Sequence, residues 1–189
     1  MDSRDADSEH GPGDPGEERF EVFAESGEAL GLVPRSEVHA RGLWHRSVHV
    51  FLFDAAGRLH LQRRASDKDI CPDLWDQSAA EHLKPGESYA EGASRGLAEE
   101  LGVTGVALTP LGAPYPARLH LPALGVHDYE LQQSFRGVWA GALHPDPLEV
   151  AEVRTVTLAT LADWMRTAPE DFTPWFLRDV FRLRILPPS

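Results

Sequence analysis

Residues Glu81–Val103, EHLKPGESYAEGASRGLAEELGV, hold the pattern on which the reading of this chain turns. Ser88 followed by Glu91 has capping-box spacing, in which the hydroxyl accepts from a first-turn amide and the carboxylate reaches back. Gly102, just past Leu101, is the residue type that tolerates the left-handed conformation that stops a helix. Between these ends Tyr89, Ala93, Leu97 and Leu101 recur every fourth residue and make one buried stripe. The segment predicts a helix over about 88–101, with Arg95, Glu99 and Glu100 on its other side and Glu87 in the preceding loop. Carboxylates gathered at one helix end can hold Mg²⁺ against phosphate oxygens, because Mg²⁺ takes oxygen ligands. An acidic pair alone is more often a solvated face, here supported by Arg95 one turn before Glu99.

Working outward, Ser47–Phe53 (SVHVFLF) is a β-branched and aromatic run closed by the turn signal Asp54-Ala-Ala-Gly57. Leu59–Gln62 follows as a second strand, so 47–63 reads as a hairpin. Asp128–Trp139 alternates Tyr129, Leu131 and Gln133 against Glu130, Gln132 and Ser134, a long strand with two distinct faces. Val153–Leu158 is a further short strand. Helices are expected at about 159–167 and 173–183, and long loops at 112–127 and 141–150. Strands with a few helices among them predict an α/β sandwich with a mixed sheet.

Residues 1–18 are rich in Asp, Glu, Gly, Pro and Ser and hold no large apolar residue after Met1, so a disordered acidic tail is expected there. Residues 19–189 then form a single domain, which suits a 189-residue chain. The formal net charge is −12, and no Lys/Arg run interrupts it. Binding to nucleic acid or to an anionic membrane surface would need a basic patch, and neither partner is expected. A small anionic substrate remains compatible if a divalent cation bridges two negative partners. The single Cys71 excludes an internal disulfide framework, and no signal-like apolar stretch opens the chain, so a cytoplasmic location is expected. The oligomeric state is not legible.

The helix region resembles the Nudix box, G-x5-E-x7-R-E-U-x-E-E-x-G-U, where U is a bulky aliphatic residue. Glu87, Arg95, Leu97, Glu99, Glu100, Gly102 and Val103 match it without a gap. Glu81 stands where the box opens with glycine, and Gly96 stands where the family has a metal-binding glutamate. The resemblance implies the Nudix fold, an α+β, α/β/α sandwich with a mixed β-sheet. It also implies Mg²⁺, with Mn²⁺ as a substitute, held by Glu99 and Glu100. Glu87 is expected to help or to orient Arg95 by an ion pair.

The flanking sequence is similar to isopentenyl diphosphate isomerase, which shares that fold. The similarity runs patchily from about His39 to Trp175. It includes His45, the segment Gln62-Arg63-Arg64-Ala-Ser-Asp-Lys68, Pro72, Trp75, His82, Asp128, Glu130 and Thr173-Pro174-Trp175. Arg64 and Lys68 match positions that grip the substrate diphosphate, a task suited to a planar fork and a flexible point charge. His45 and His82 match metal-ligand histidines, and His39 lies one residue off a third. A structural role for them is as compatible with the sequence. The catalytic cysteine of the isomerase aligns with Ala80. Proton transfer at an allylic carbon needs an acid and a base on opposite faces, and a methyl group is neither.

The sequence is therefore read as a member of the isomerase-like branch of Nudix hydrolases. The expected activity is metal-dependent hydrolysis of a diphosphate linkage, with nucleoside di- or triphosphates as the leading substrate class. The expected catalytic set is Glu87, Arg95, Glu99, Glu100 and Glu130, with Glu149 and Glu152 as alternatives to Glu130. Trp175, Trp139 and Tyr115 are candidates to stack a base. Isomerase-like activity and a non-catalytic binding module are the rival readings.

Overall fold

The computed structural model describes residues 18–122 and 125–186. Its centre is strand β3, Trp44–Phe53, which is buried along nearly its whole length. Even-numbered Val48, Val50 and Leu52 pack on one face against Ala93, Leu97 and Leu101 of helix α2, Tyr89–Leu101. Odd-numbered Phe51 and Phe53 pack on the other with Phe176 and Val180 of helix α4, Pro174–Arg182, and Leu161 of helix α3, Leu158–Thr167. A strand covered on both faces reads as a continuous apolar run. The two-residue period of its side chains sends His45, Ser47 and His49 to the odd side. That parity places the site.

On one edge β3 pairs in parallel with the long β9, Val126–Val138, from Trp44↔Tyr129 to Phe53↔Val138. On its other edge lie β6, Ala79–His82, and one end of β1, Arg19–Phe23. β1 forms a hairpin with β2, Ala29–Pro34, which leads directly into α1, Arg35–Arg41. The expected 47–63 hairpin is realised only at its turn. Phe53↔Leu59 is the one paired position between β3 and β4, Leu59–Arg64. Because β6 occupies the edge of β3, β4 splays away to pair with β5, Trp75–Asp76, and with β10, Val150–Val156.

The expected helices at 88–101, 159–167 and 173–183 form, and α2 has the capping box and the left-handed Gly102. The expected long loop at 112–127 is instead largely a strand, β8, Tyr115–Leu121, paired with β9 over seven positions. The short β7, Thr109–Pro110, precedes it on the same edge. Pro114, Pro116 and Pro122 mask β8 in the sequence. An outer strand tolerates proline because one of its edges has no ladder to complete. The expectation for the N-terminal tail falls on residues 1–17, outside the described residues. Glu18, at its end, is bonded to the body through Arg35. No helix among the described residues is long and apolar enough to cross a membrane.

Candidate active site

Four elements bring a polar cluster together at one end of β3. His39 comes from α1, His45 from β3, His82 from β6 and Asp128 from β9, and one donor atom of each lies within 4.8 Å of the others. His45 Nε2 is 3.4 Å and His39 Nε2 3.8 Å from Asp128 Oδ1, and His82 Nε2 is 3.6 Å from Glu130 Oε1. His45 Nδ1 donates to the Leu43 carbonyl at 3.0 Å, which fixes the tautomer and turns the Nε2 lone pair into the cluster. Phe20 closes the group from β1, stacking on His45 at 5.2 Å and lying 4.6 Å from His82.

This cluster lacks the charge balance it needs. His39 Nε2, His45 Nε2 and Asp128 Oδ1 are buried without a hydrogen-bond partner among the described residues. Burial pushes His39 and His45 down to about 4 and His82 well below the ordinary imidazole range. Burial also raises Asp128, and burial followed by the charge of Asp128 raises Glu130 to about 8. Neutral imidazoles thus face two carboxyls whose burial favours the protonated form. A divalent cation would resolve both, and a set of imidazole and carboxylate donors would suit Zn²⁺ or Mn²⁺ better than Mg²⁺.

A second acidic group borders the same cavity on the α2 side. Arg95 is its clamp: Nε donates to Glu87 Oε1 at 2.8 Å, Nη2 to Glu87 Oε2 at 2.9 Å, and Nη2 also to the His82 carbonyl at 2.8 Å. Its Nη1 donates to Glu99 Oε2 at 2.8 Å and to Glu81. Glu100, expected as a metal ligand with Glu99, lies deeper than its neighbour. Glu100 is buried, with Oε2 accepting from Gln62 Nε2 at 2.6 Å and Oε1 from the Ala80 amide at 3.0 Å. Burial raises its carboxyl well above the usual range. The departures at 81 and 96 meet in space. A side chain begun at Gly96 would meet Glu81 Cβ at 3.2 Å and Cγ at 3.3 Å. Glu81 of β6 fills the space beside Gly96, and burial lifts its carboxyl to about 7.

A cavity of about 720 Å³ joins the two groups. Arg64 and Lys68, the expected diphosphate-binding residues, line it. Arg64 donates to the Ile70 carbonyl and lies 5.3 Å over the Trp175 ring, while Lys68 pairs with Glu149. Glu152 pairs instead with Arg154 and Arg63 on the exterior. Trp175 borders the cavity, but its indole N–H is committed to Asp76. Trp139 donates to Ala142 away from the cavity, and the Tyr115 hydroxyl bonds Asp179. Sequence reasoning missed His49 and Asp179, joined Nδ1 to Oδ2 at 2.7 Å. The signal available was the i, i+2, i+4 row His45, Ser47, His49 on one face of a strand.

The sandwiched mixed sheet and the acidic, Arg-clamped α2 define the class of protein. The NUDIX domain model matches residues 43–176, and the chain belongs to that family. Among its relatives are isopentenyl-diphosphate Delta-isomerases. That of Nocardia farcinica is 39% identical over 156 residues, covering 82% of this chain and 88% of the relative. That of Burkholderia multivorans is 34% identical over 161 residues, covering 85% and 89%. A Deinococcus radiodurans crystal structure shares the fold with a TM-score of 0.67 at 22% identity, covering 87% of this chain and 98% of that one.

These relatives overturn the expectation of a nucleoside di- or triphosphate pyrophosphohydrolase. That expectation gave the missing thiol at position 80 more weight than the histidines. The buried cluster and the near full-length similarity to isomerases point the other way.

Proposed function

We propose that this chain isomerises a small alkenyl diphosphate of the isopentenyl type, moving its double bond by one position. The observation that carries the reading is the buried cluster of His39, His45, His82 and Asp128, with Glu130 beside His82. Its unpartnered His39 Nε2, His45 Nε2 and Asp128 Oδ1 are donor atoms that an ion would satisfy together. A cation held by His39, His45, His82 and Asp128, beside Glu130, would supply the positive charge that lets Glu130 ionise inside the protein. Mg²⁺ or Mn²⁺ brought with the diphosphate is assigned to Glu99 and Glu100, with Glu81 as their neighbour. Glu87 and Glu99 balance Arg95 and Lys84, and a cation would draw the protons from buried Glu81 and Glu100.

Arg64 and Lys68 hold the phosphate oxygens, and Glu130 removes a proton from the carbon on the diphosphate side of the double bond. Ala80 offers only space, so the second proton is moved by another residue. That same alanine favours a second reading, a module that binds the diphosphate without turning it over. The test is NMR of isopentenyl diphosphate with Mg²⁺ and Zn²⁺ in deuterated water, beside a direct binding titration. Exchange of carbon-bound hydrogen supports isomerisation. Binding without exchange selects the second reading, and absence of binding sinks both.

A further inference from the structure

We propose that His49, held by Asp179, is the proton donor on the face that Ala80 leaves bare; the assignment rests on the isomerase reading above. His49 and Ala80 are register partners on β3 and β6. Directly opposed residues of an antiparallel pair project to the same face with Cβ atoms about 4.5–5.5 Å apart. The imidazole therefore stands beside the alanine methyl over the same cavity, and both residues line it. Where a side chain at 80 could carry an acidic proton, this chain has a larger acid one strand away.

The surroundings of His49 suit that task. Its Nδ1 donates to Asp179 Oδ2, and Asp179 Oδ1 accepts from the Tyr115 hydroxyl at 2.6 Å and from Arg178 Nε at 2.9 Å. Gln132 Nε2 also donates to Oδ2, so the carboxylate is held from four sides. Burial would push Asp179 up, but the His49 bond and the charge of Arg178 hold it far below the usual range. Burial would strip His49 of its proton, and the bond and charge of Asp179 reverse that and raise its pKa. With Nδ1 committed, Nε2 has no hydrogen-bond partner among the described residues. A carboxylate behind an imidazole fixes its orientation and stabilises the imidazolium. The rival donor Glu100 already accepts bonds on both oxygens, and Cys71 does not line the cavity.

The step balances. The Nε2–H proton moves to the terminal methylene carbon, the π pair forms the new C–H bond, and positive charge develops at the adjacent tertiary carbon. Glu130 takes a proton from the carbon on the diphosphate side, and the released pair forms the new double bond. His49 ends neutral and Glu130 protonated, and exchange with solvent resets both.

The experiment compares the metal-loaded parent, His49→Gln, Asp179→Asn and His49→Gln/Ala80→Cys in the deuterium-incorporation assay. His49→Gln is expected to lower kcat by about 100-fold or more, the range of general acid catalysis, with KM and metal binding unchanged. Adding Ala80→Cys to it should restore at least a tenth of the loss, roughly one tenfold step. Asp179→Asn, a positioning change, should lower kcat by about tenfold or more without moving KM, and it decides the matter if His49→Gln does not fold. A parent that exchanges hydrogen equally well without His49, or a loss confined to KM, overturns the assignment alone. A parent that binds the diphosphate and exchanges nothing, even with Ala80→Cys, overturns the isomerase reading and this assignment together.

Discussion

Loading the metal-free protein with Zn²⁺ or Mn²⁺ at pH 7 should release about one proton per site. Glu130, raised to about 8 by burial and by Asp128, is about nine-tenths protonated at pH 7. His39 and His45, pushed down to about 4, are already neutral there and have no proton to give. The release therefore comes from carboxyl groups, and it should fade as the pH rises past 8 because Glu130 ionises without help. The same binding adds about 2.7 kcal/mol of stability at one hundred times the dissociation constant. For a chain of this size that corresponds to a melting-temperature rise of roughly 5–10 °C. Calorimetry in two buffers of different ionisation heat reads the protons, and a thermal melt reads the stability. Zero release at pH 7, or an undiminished release in Glu130→Gln, would refute the argument that burial holds the site protonated until a cation arrives.

Three further outcomes follow from the geometry. Gly96→Glu should destabilise the parent by about 1–3 kcal/mol through overpacking against Glu81. Adding Glu81→Gly should recover most of that loss, and a denaturant-melt cycle with no coupling would separate the two positions. Glu100→Gln places an amide against the Ala80 N–H or the Gln62 amide, at an expected cost of about 1–3 kcal/mol; an unchanged melt would contradict the placement of Glu100. In the metal-free protein Glu130 holds a proton that the unfolded chain gives up near pH 4.5, so its contribution is present below that pH and lost as the pH rises to about 8. Glu130→Gln should therefore gain on the parent by up to about 1.4 kcal/mol per pH unit across that window, and parallel stability curves would refute it.

How much was legible in the sequence followed from how local each signal is. Helix α2 was readable end to end because its cap, stop and stripe lie within one segment. Strand β9 was readable because its two faces differ. Strand β8 was not, since its prolines are admissible only on an outer edge and the sequence does not announce edges. Arg64 and Lys68 were found by resemblance, and both reach the cavity. The burial of Glu100 was not legible because helical spacing gives a face but not what covers it, here Gln62 from β4 and the amide of Ala80. The contact of Glu81 with Gly96 across β6 and α2 was not legible, because it joins residues of two separate elements. His49 was invisible as an acid because its partner, Asp179, lies 130 residues away.

The most direct test of the account is the fate of isopentenyl diphosphate in deuterated water with the metal-loaded parent. The account predicts the allylic isomer with deuterium in its new methyl group, and deuterium at the carbon beside the diphosphate carbon only in starting alkene re-formed by the reverse step. Unexchanged starting material, together with phosphate released from a panel of nucleotides, would contradict it.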